Sequence, residues 1–285
     1  MVKREPQGNL LFVSENNNET IERNSKMKIK PSHPLALMAA MSVLFVATAS
    51  LRASETDDRI ESSAKKSYVF KTYLKDDSIK TESKDGVVIL TGTVAAESHK
   101  ALAESTVASL PGVKSVDNRL KVKGDGHAEH SDGWVTTKVK SALLFHRNVS
   151  AAKTEVSVKD GVVSLRGEAT SQAQKELTTE YAKDVEGVKT VKNEMTVART
   201  ATKQPETIGE KIDDASITAQ VKLSLMSHRS TSALKTKVET KDGVVTISGI
   251  AKNAAEKSLV TKLVNDINGV TSVVNLMTIV VLIAN

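Results

Sequence analysis

The residues Lys-Asp-Gly-Val-Val occur three times in this chain, with the glycine at Gly86, Gly161 and Gly243. A second glycine follows each by six residues, at Gly92, Gly167 and Gly249, and a third by twenty-six, at Gly112, Gly187 and Gly269. An asparagine stands six residues beyond that third glycine: Asn118, Asn193 and Asn275. Four landmarks at one internal spacing, three times over, define an array of one small module. Function is therefore to be sought in a repeated surface before any single active site.

Composition narrows the options. With no cysteine, disulfides, thiolate metal sites and cysteine nucleophiles are excluded. Aromatic residues make up 3 % of the chain, too few for a base-stacking surface. The net charge of +6 is concentrated at the start, since the first 53 residues hold seven Lys/Arg and four Asp/Glu, leaving 33 against 30 in the remainder. No basic stripe of the kind that binds nucleic acid stands out, and none is expected as a partner.

Residues 1–53 read as a leader and signal peptide. Lys28 and Lys30 precede an apolar run from Leu35 to Ala49, followed by small residues that suit cleavage after Ala49 or Ala53. That run is shorter than the roughly 20 residues needed to span a bilayer, which favours cleavage over anchoring. Met27 is read as the true start of translation. These features predict an exported, periplasmic protein.

The modules are expected over 57–123, 131–198 and 212–283, separated by polar segments at Gly124–Asp132 and Arg199–Lys211. Each begins with a helix, marked by Ile60, Ala64 and Tyr68, by Val135, Val139 and Leu143, and by Ile217, Val221 and Leu225 at i, i+4, i+8. Asp58, Asp132 and Asp213 or Asp214 stand where a carboxylate caps free helix N–H groups. Two strands joined at Asp-Gly follow, a hairpin signal because that turn needs positive φ. Gly92, Gly167 and Gly249 end the second strand, at a bulge or close backbone approach.

A second helix carries Leu102, Val107 and Leu110; Leu177, Tyr181 and Val185; or Leu259, Leu263 and Ile267. It is expected to stop at Gly112, Gly187 and Gly269 as left-handed caps. The last strand alternates through Val116, Asn118, Leu120 and Val122 and through their counterparts. The predicted fold is α+β: three tandem α-β-β-α-β modules, each with two helices on one face of a three-stranded sheet.

That order of elements, with Lys84-Asp85-Gly86-Val87-Val88-Ile89-Leu90-Thr91-Gly92 and Pro111-Gly112-Val113-Lys114-Ser115-Val116-Asp117-Asn118, resembles the BON (bacterial OsmY and nodulation) domain. The resemblance implies an exported envelope protein, often stress-induced, that attaches to phospholipid or another envelope partner and has no enzymatic activity. It implies no cofactor. The nine glycines are read as fold-defining turns rather than ligand contacts.

Candidate sites are few. His127, Glu129 and His130 occur in one linker only and lack the spacing that sets two imidazoles on one helix face, so no metal site is assigned. No Ser-His-Asp arrangement is present in any shared motif. The basic pairs His146-Arg147 and His228-Arg229 end the first helix of modules 2 and 3, with Lys138, Lys140 and Lys222 along it. They are expected to form an anionic-lipid surface made effective by repetition. The competing explanation is that late basic residues complement the helix dipole. Module 1 departs from the pattern, with Lys71 and Thr72 at the equivalent positions.

The final strand of module 3 is apolar on both faces, through Val274, Leu276, Val280 and Leu282, where modules 1 and 2 place charges. It is expected to cover or contact another module, another subunit or a membrane surface, and an oligomer through this strand is one form of that contact. Two functions from different classes follow: attachment to anionic phospholipid during osmotic or envelope stress, or a periplasmic protein–protein adaptor of chaperone-like character.

Overall fold

The structure, a computed structural model, describes residues 54–124, 130–198, 211–231 and 236–279. All lie within one compact unit, Ala47–Asn285. The expected leader, Met27, the His127–Glu129 stretch, most of the second linker, and Val280 and Leu282 lie outside the described residues.

The fold is α+β, with three tandem modules of one plan. Module 1 comprises α1 (54–66), α2 (Tyr68–Thr72), β1 (Ser78–Lys84), β2 (Val87–Val94), α3 (Glu97–Ala108), β3 (Ser115–Asn118) and β4 (Lys121–Val122). Module 2 comprises α4 (Asp132–Leu144), β5 (Thr154–Lys159), β6 (Val162–Ala169), α5 (Gln172–Lys183), β7 (Thr190–Asn193) and β8 (Thr196–Val197). Module 3 comprises α6 (Asp214–Ser227), β9 (Thr236–Lys241), β10 (Val244–Ala251), α7 (Ala254–Asn265), β11 (Ser272–Asn275) and β12 (Thr278–Ile279). In each sheet the second strand is central. It pairs antiparallel with the first and parallel with both halves of the last. Parallel neighbours need a crossover, which the second helix supplies.

The hairpin turn has consecutive positive φ at Asp85-Gly86, Asp160-Gly161 and Asp242-Gly243, the tight turn that matches strand twist. It is also tied to the first helix. Asp57, Asp132 and Asp214 each accept the two N–H groups of that turn, at 2.7 and 2.9 Å in modules 1 and 2 and at 2.8 and 2.9 Å in module 3. This corrects the expected capping role in modules 1 and 2, whereas Asp213 of module 3 caps as expected. Asp58 is exposed and Asp57 does the work, while the side chains that cap the first helix are Ser131 in module 2 and Asp213 in module 3. The bond from Ser83, then that from Gly86, holds the Asp57 carboxyl below the usual carboxylate range. For Asp132 the Gly161 and Asp160 N–H groups do the same.

The second glycine is a point of close approach. A Cβ on Gly167, at φ +122, would lie 1.9 Å from the carbonyl oxygen of Lys153, the residue just before the facing strand β5. The third glycine is not a helix cap. The second helices end at Ala108, Lys183 and Asn265, and Gly112, Gly187 and Gly269 come later, in the turn that passes under the first helix. A Cβ on Gly187 would meet Val135 Cγ2 at 2.7 Å.

The repeated asparagine breaks the last strand in two. Asn193 donates to the Lys175 carbonyl at 2.8 Å and to Thr179 Oγ1 at 2.7 Å, and accepts from the Met195 N–H at 3.0 Å. Asn275 repeats this set with Lys257, Thr261 and Met277. The side chain thus pins the second helix to the kink and turns Met195 or Met277 inward, where both are buried.

The modules do not stand apart. Module 2 has its own core around Val139, Leu143, Val163 and Leu165. The cores of modules 1 and 3 merge into one, with Leu102 and Val107 of α3 and Ile217, Val221 and Leu225 of α6 in the same cluster. Helix α6 buries eleven of its fourteen residues, against five of thirteen in α4. Tyr68 departs from its expected place in the first helix. The helix breaks at Ser67, and the freed N–H groups of Tyr68 and Val69 donate to Asp213 Oδ2 at 2.8 Å and Ser216 Oγ at 3.1 Å of module 3.

Candidate functional site

The two His-Arg pairs end α4 and α6, where the chain leaves each helix. Their side chains do not form a free basic flank. His146 pairs in a β-bridge with Ile267 of module 3, and His228 with Val185 of module 2. The contacts are reciprocal: each pair docks on the chain just after the second helix of the other module.

The Arg147 N–H donates to the Asp266 carbonyl at 2.8 Å, and its guanidinium donates to the carbonyls of Ile267 and Val270 at 2.6 and 2.7 Å. In mirror fashion the Arg229 N–H donates to the Asp184 carbonyl at 2.8 Å, and its guanidinium to the Lys183 carbonyl at 2.8 Å. The Lys183, Asp184 and Asp266 carbonyls end α5 and α7, where the helix leaves acceptors unpaired and the dipole favours a cation, while those of Ile267 and Val270 belong to the turn beyond α7. Both histidine side chains are fully buried, each within 3.3 Å of an aspartate across the joint.

Tyr181 completes the joint. Its hydroxyl donates to Asp266 Oδ2 at 2.8 Å, and its ring lies against both imidazoles. Burial, and then the Asp266 charge, holds the Tyr181 hydroxyl far above its ordinary range. Leu177 and Tyr181, expected in the core of module 2, are half-buried: both pack against that core and both line the groove beside this joint, while Gln174, Thr178 and Ala182 are buried. Thr178 satisfies its hydroxyl on the Gln174 carbonyl at 2.7 Å. The apolar stripe therefore serves two faces, its own core and the neighbouring module.

The other basic candidates are scattered. Lys138 donates to Glu186 at 2.9 Å and lies 4.2 Å from the Trp134 ring centroid. Lys140 is exposed and Lys222 half-buried. A cleft of about 830 Å³ opens where the three modules meet, beside Tyr68, Tyr73, Arg147, Lys211 and Asn268. Among the described residues no group of three or more His, Asp or Glu side chains is arranged to hold a metal ion.

The outer sheet faces differ in kind. On module 2, Arg166 of β6 and Glu194 after β7 form an exposed ion pair at 2.7 Å. The equivalent residues of module 3 are Ser248 and Leu276, and Leu276 is 59 % exposed. With Ile250 and Val274, each more than 40 % exposed, it makes an apolar patch on the outer sheet face of module 3. Lys237 and Lys241 of β9 pair across to Ser248 and Val244 beside it. Val274 and Leu276 are thus uncovered by any other module, leaving a second subunit or a surface as the contact expected there. Among the described residues no helix is long and apolar enough to cross a membrane.

The repeat recurs in known proteins. A model of the BON domain matches residues 56–124, 131–199 and 213–281. The chain is 33 % identical over 188 residues to osmotically-inducible protein Y of Escherichia coli, covering 66 % of this chain and 90 % of that protein. It is 34 % identical over 125 residues to the outer membrane lipoprotein DolP of Haemophilus influenzae. To a 21 kDa hemolysin of Actinobacillus pleuropneumoniae it is 32 % identical over 125 residues. Each of these two alignments covers 41 % of this chain and 64 % of the relative, a little under two thirds of its length. With three matched segments covering nearly all of the described residues, each built on the same hairpin, glycines and asparagine, this chain belongs to the BON domain family.

Proposed function

We propose that this is a non-catalytic, exported protein of the bacterial cell envelope that attaches to anionic phospholipid surfaces under osmotic or envelope stress. The stress and envelope assignments rest on kinship with the osmotically-inducible protein Y and the outer membrane lipoprotein named above. The observation that carries the lipid reading is the outer sheet face of module 3. Ile250, Val274 and Leu276 present apolar surface to solvent, and Lys237 and Lys241 flank it. An apolar patch with cations at its margin suits insertion among acyl chains and attraction to anionic headgroups together. Glu239 pairs with Lys237 at 2.6 Å, so Lys241 is the stronger headgroup contact.

The test is co-sedimentation with phosphatidylglycerol-containing vesicles across salt concentrations. Binding at low salt is expected to weaken as salt screens the lysines. The pair Val274→Glu and Leu276→Glu is expected to abolish it while leaving circular dichroism unchanged, because both residues are surface-exposed. Failure of the native protein to bind anionic vesicles at low salt sinks the lipid reading. The protein–protein adaptor then stands, with the same patch as its contact.

A further inference from the structure

The joint between modules 2 and 3 contains two buried histidines that the proposed lipid attachment does not use. The His146 and His228 rings are 5.8 Å apart, and Tyr181 packs against both at 4.2 and 5.6 Å between centroids. Every element around them contributes. Asp266 comes from the end of α7, Asp184 and Tyr181 from α5, Ser224 from α6, and Arg147 and Arg229 follow the histidines themselves. Glu180, Lys183 and Lys262 line the groove just outside.

Hydrogen-bond capacity decides which protonation state fits. A neutral imidazole brings one N–H and one lone pair, whereas the cation brings two N–H groups that both need acceptors. His228 has Asp184 Oδ2 at 3.2 Å from Nδ1, and its Nε2 has no partner among the described residues. His146 has Ser224 Oγ at 3.1 Å from Nε2. Its Nδ1 lies 3.3 Å from Asp266 Oδ2 without an aligned hydrogen bond. Each aspartate already has other donors: Tyr181 and Asn148 on Asp266, and Ser230 on Asp184. Neutral histidines therefore leave the joint nearly satisfied. A protonated His146 would need an aligned acceptor for its Nδ1–H, which Asp266 does not offer, and its charge would sit 5.8 Å from the second imidazole in a site where burial penalises it.

We propose that the joint between modules 2 and 3 is a proton-operated latch, closed while His146 is neutral and opened when it takes up a proton. Because each module contributes one histidine and one aspartate, the two contacts weaken together. Module 1 stays docked, since its bonds to Asp213 and Ser216 involve no histidine. Burial holds His146 below the ordinary histidine range, and His228 adds to that, against the opposing pull of Asp266. The closed joint is thus at full strength above the unperturbed histidine value of ~6.5 and weakens as pH falls below it.

The absence of native cysteine makes the test direct. Exposed Lys192→Cys on module 2 and Ser258→Cys on module 3 accept a donor–acceptor dye pair in the full chain. The expected result is a reversible loss of energy transfer on acidification through the range below ~6.5, with far-ultraviolet circular dichroism unchanged. In the background of His146→Gln with His228→Gln the loss disappears, and it persists with His99→Gln in module 1. Should the double variant fail to fold, histidine NMR titration of the native chain decides. Protonation of His146 in step with the loss of transfer supports the latch. Transfer that stays constant while His146 protonates overturns it, as does a transition that survives the double substitution.

Discussion

Asn193 shows how much one repeated residue organises. Its side chain binds the α5 backbone, a threonine hydroxyl and the strand beyond the kink at once. Asn193→Ala leaves the Met195 N–H without its acceptor and removes two further bonds, since Thr179 and the Lys175 carbonyl keep each other, and the expected cost is about 1–3 kcal/mol, seen as a lower urea midpoint at unchanged slope. The spacing to Gly187 marked this residue in the sequence, but its partners stand 14 and 18 residues back and only the fold brings them near. The repeated aspartate carries a pH signature. Asp57 and Asp132 are held below the ordinary carboxylate value in the folded state. Their contribution is complete above the unfolded value of ~3.9 and is lost as pH falls through the lowered folded values. Acid unfolding followed by circular dichroism is expected to show a shallower pH dependence in Asp57→Asn with Asp132→Asn than in the native protein.

At the scale of elements, α6 departs furthest from its counterparts. Ile217, Val221 and Leu225 identified one core-facing stripe, and the other side is buried too, through Ala215, Ala219 and Leu223. The signal was present: between Asp214 and His228 the helix carries a single charge, Lys222. A helix without a charged face is covered on most of its sides, and in α6 only Met226 is strongly exposed. Gln220 lies within that covering, fully buried, and neither end of its amide has a hydrogen-bond partner among the described residues. Gln220→Met keeps the shape and removes the unpaired polar atoms, so a stabilisation on the order of 1–2 kcal/mol is expected by thermal melting. An equal or lower melting temperature would mean that the amide is satisfied after all.

For the whole molecule, repetition of sequence does not mean independence of modules. Module 2 encloses its own core, whereas α6 belongs to a core shared by modules 1 and 3. Residues 130–198 expressed alone are expected to melt cooperatively. Residues 211–279 alone are expected to bind a hydrophobic dye and to lack a calorimetric transition, because one side of α6 loses its partner. Equal cooperativity in the two fragments would refute the shared core. The His-Arg pairs carry the same lesson. A cationic pair ending an amphipathic helix reads locally as a surface feature, and its partners are backbone carbonyls some 120 residues away for Arg147 and 46 for Arg229.

The sequence by itself determined the module. Its hairpin turn, close-approach glycine and helix order all follow from short-range requirements on φ, alternation and helical period, repeated three times, whereas the break in the last strand was not among them. It also determined which last strand would be apolar on both faces, because alternation is a local property. Only the tertiary structure decided what joins the modules. Those contacts arise between residues far apart in the chain, and the same His-Arg pair satisfies a dipole in solvent as well as it docks onto a neighbour. No spacing distinguishes the two until the backbones are placed together.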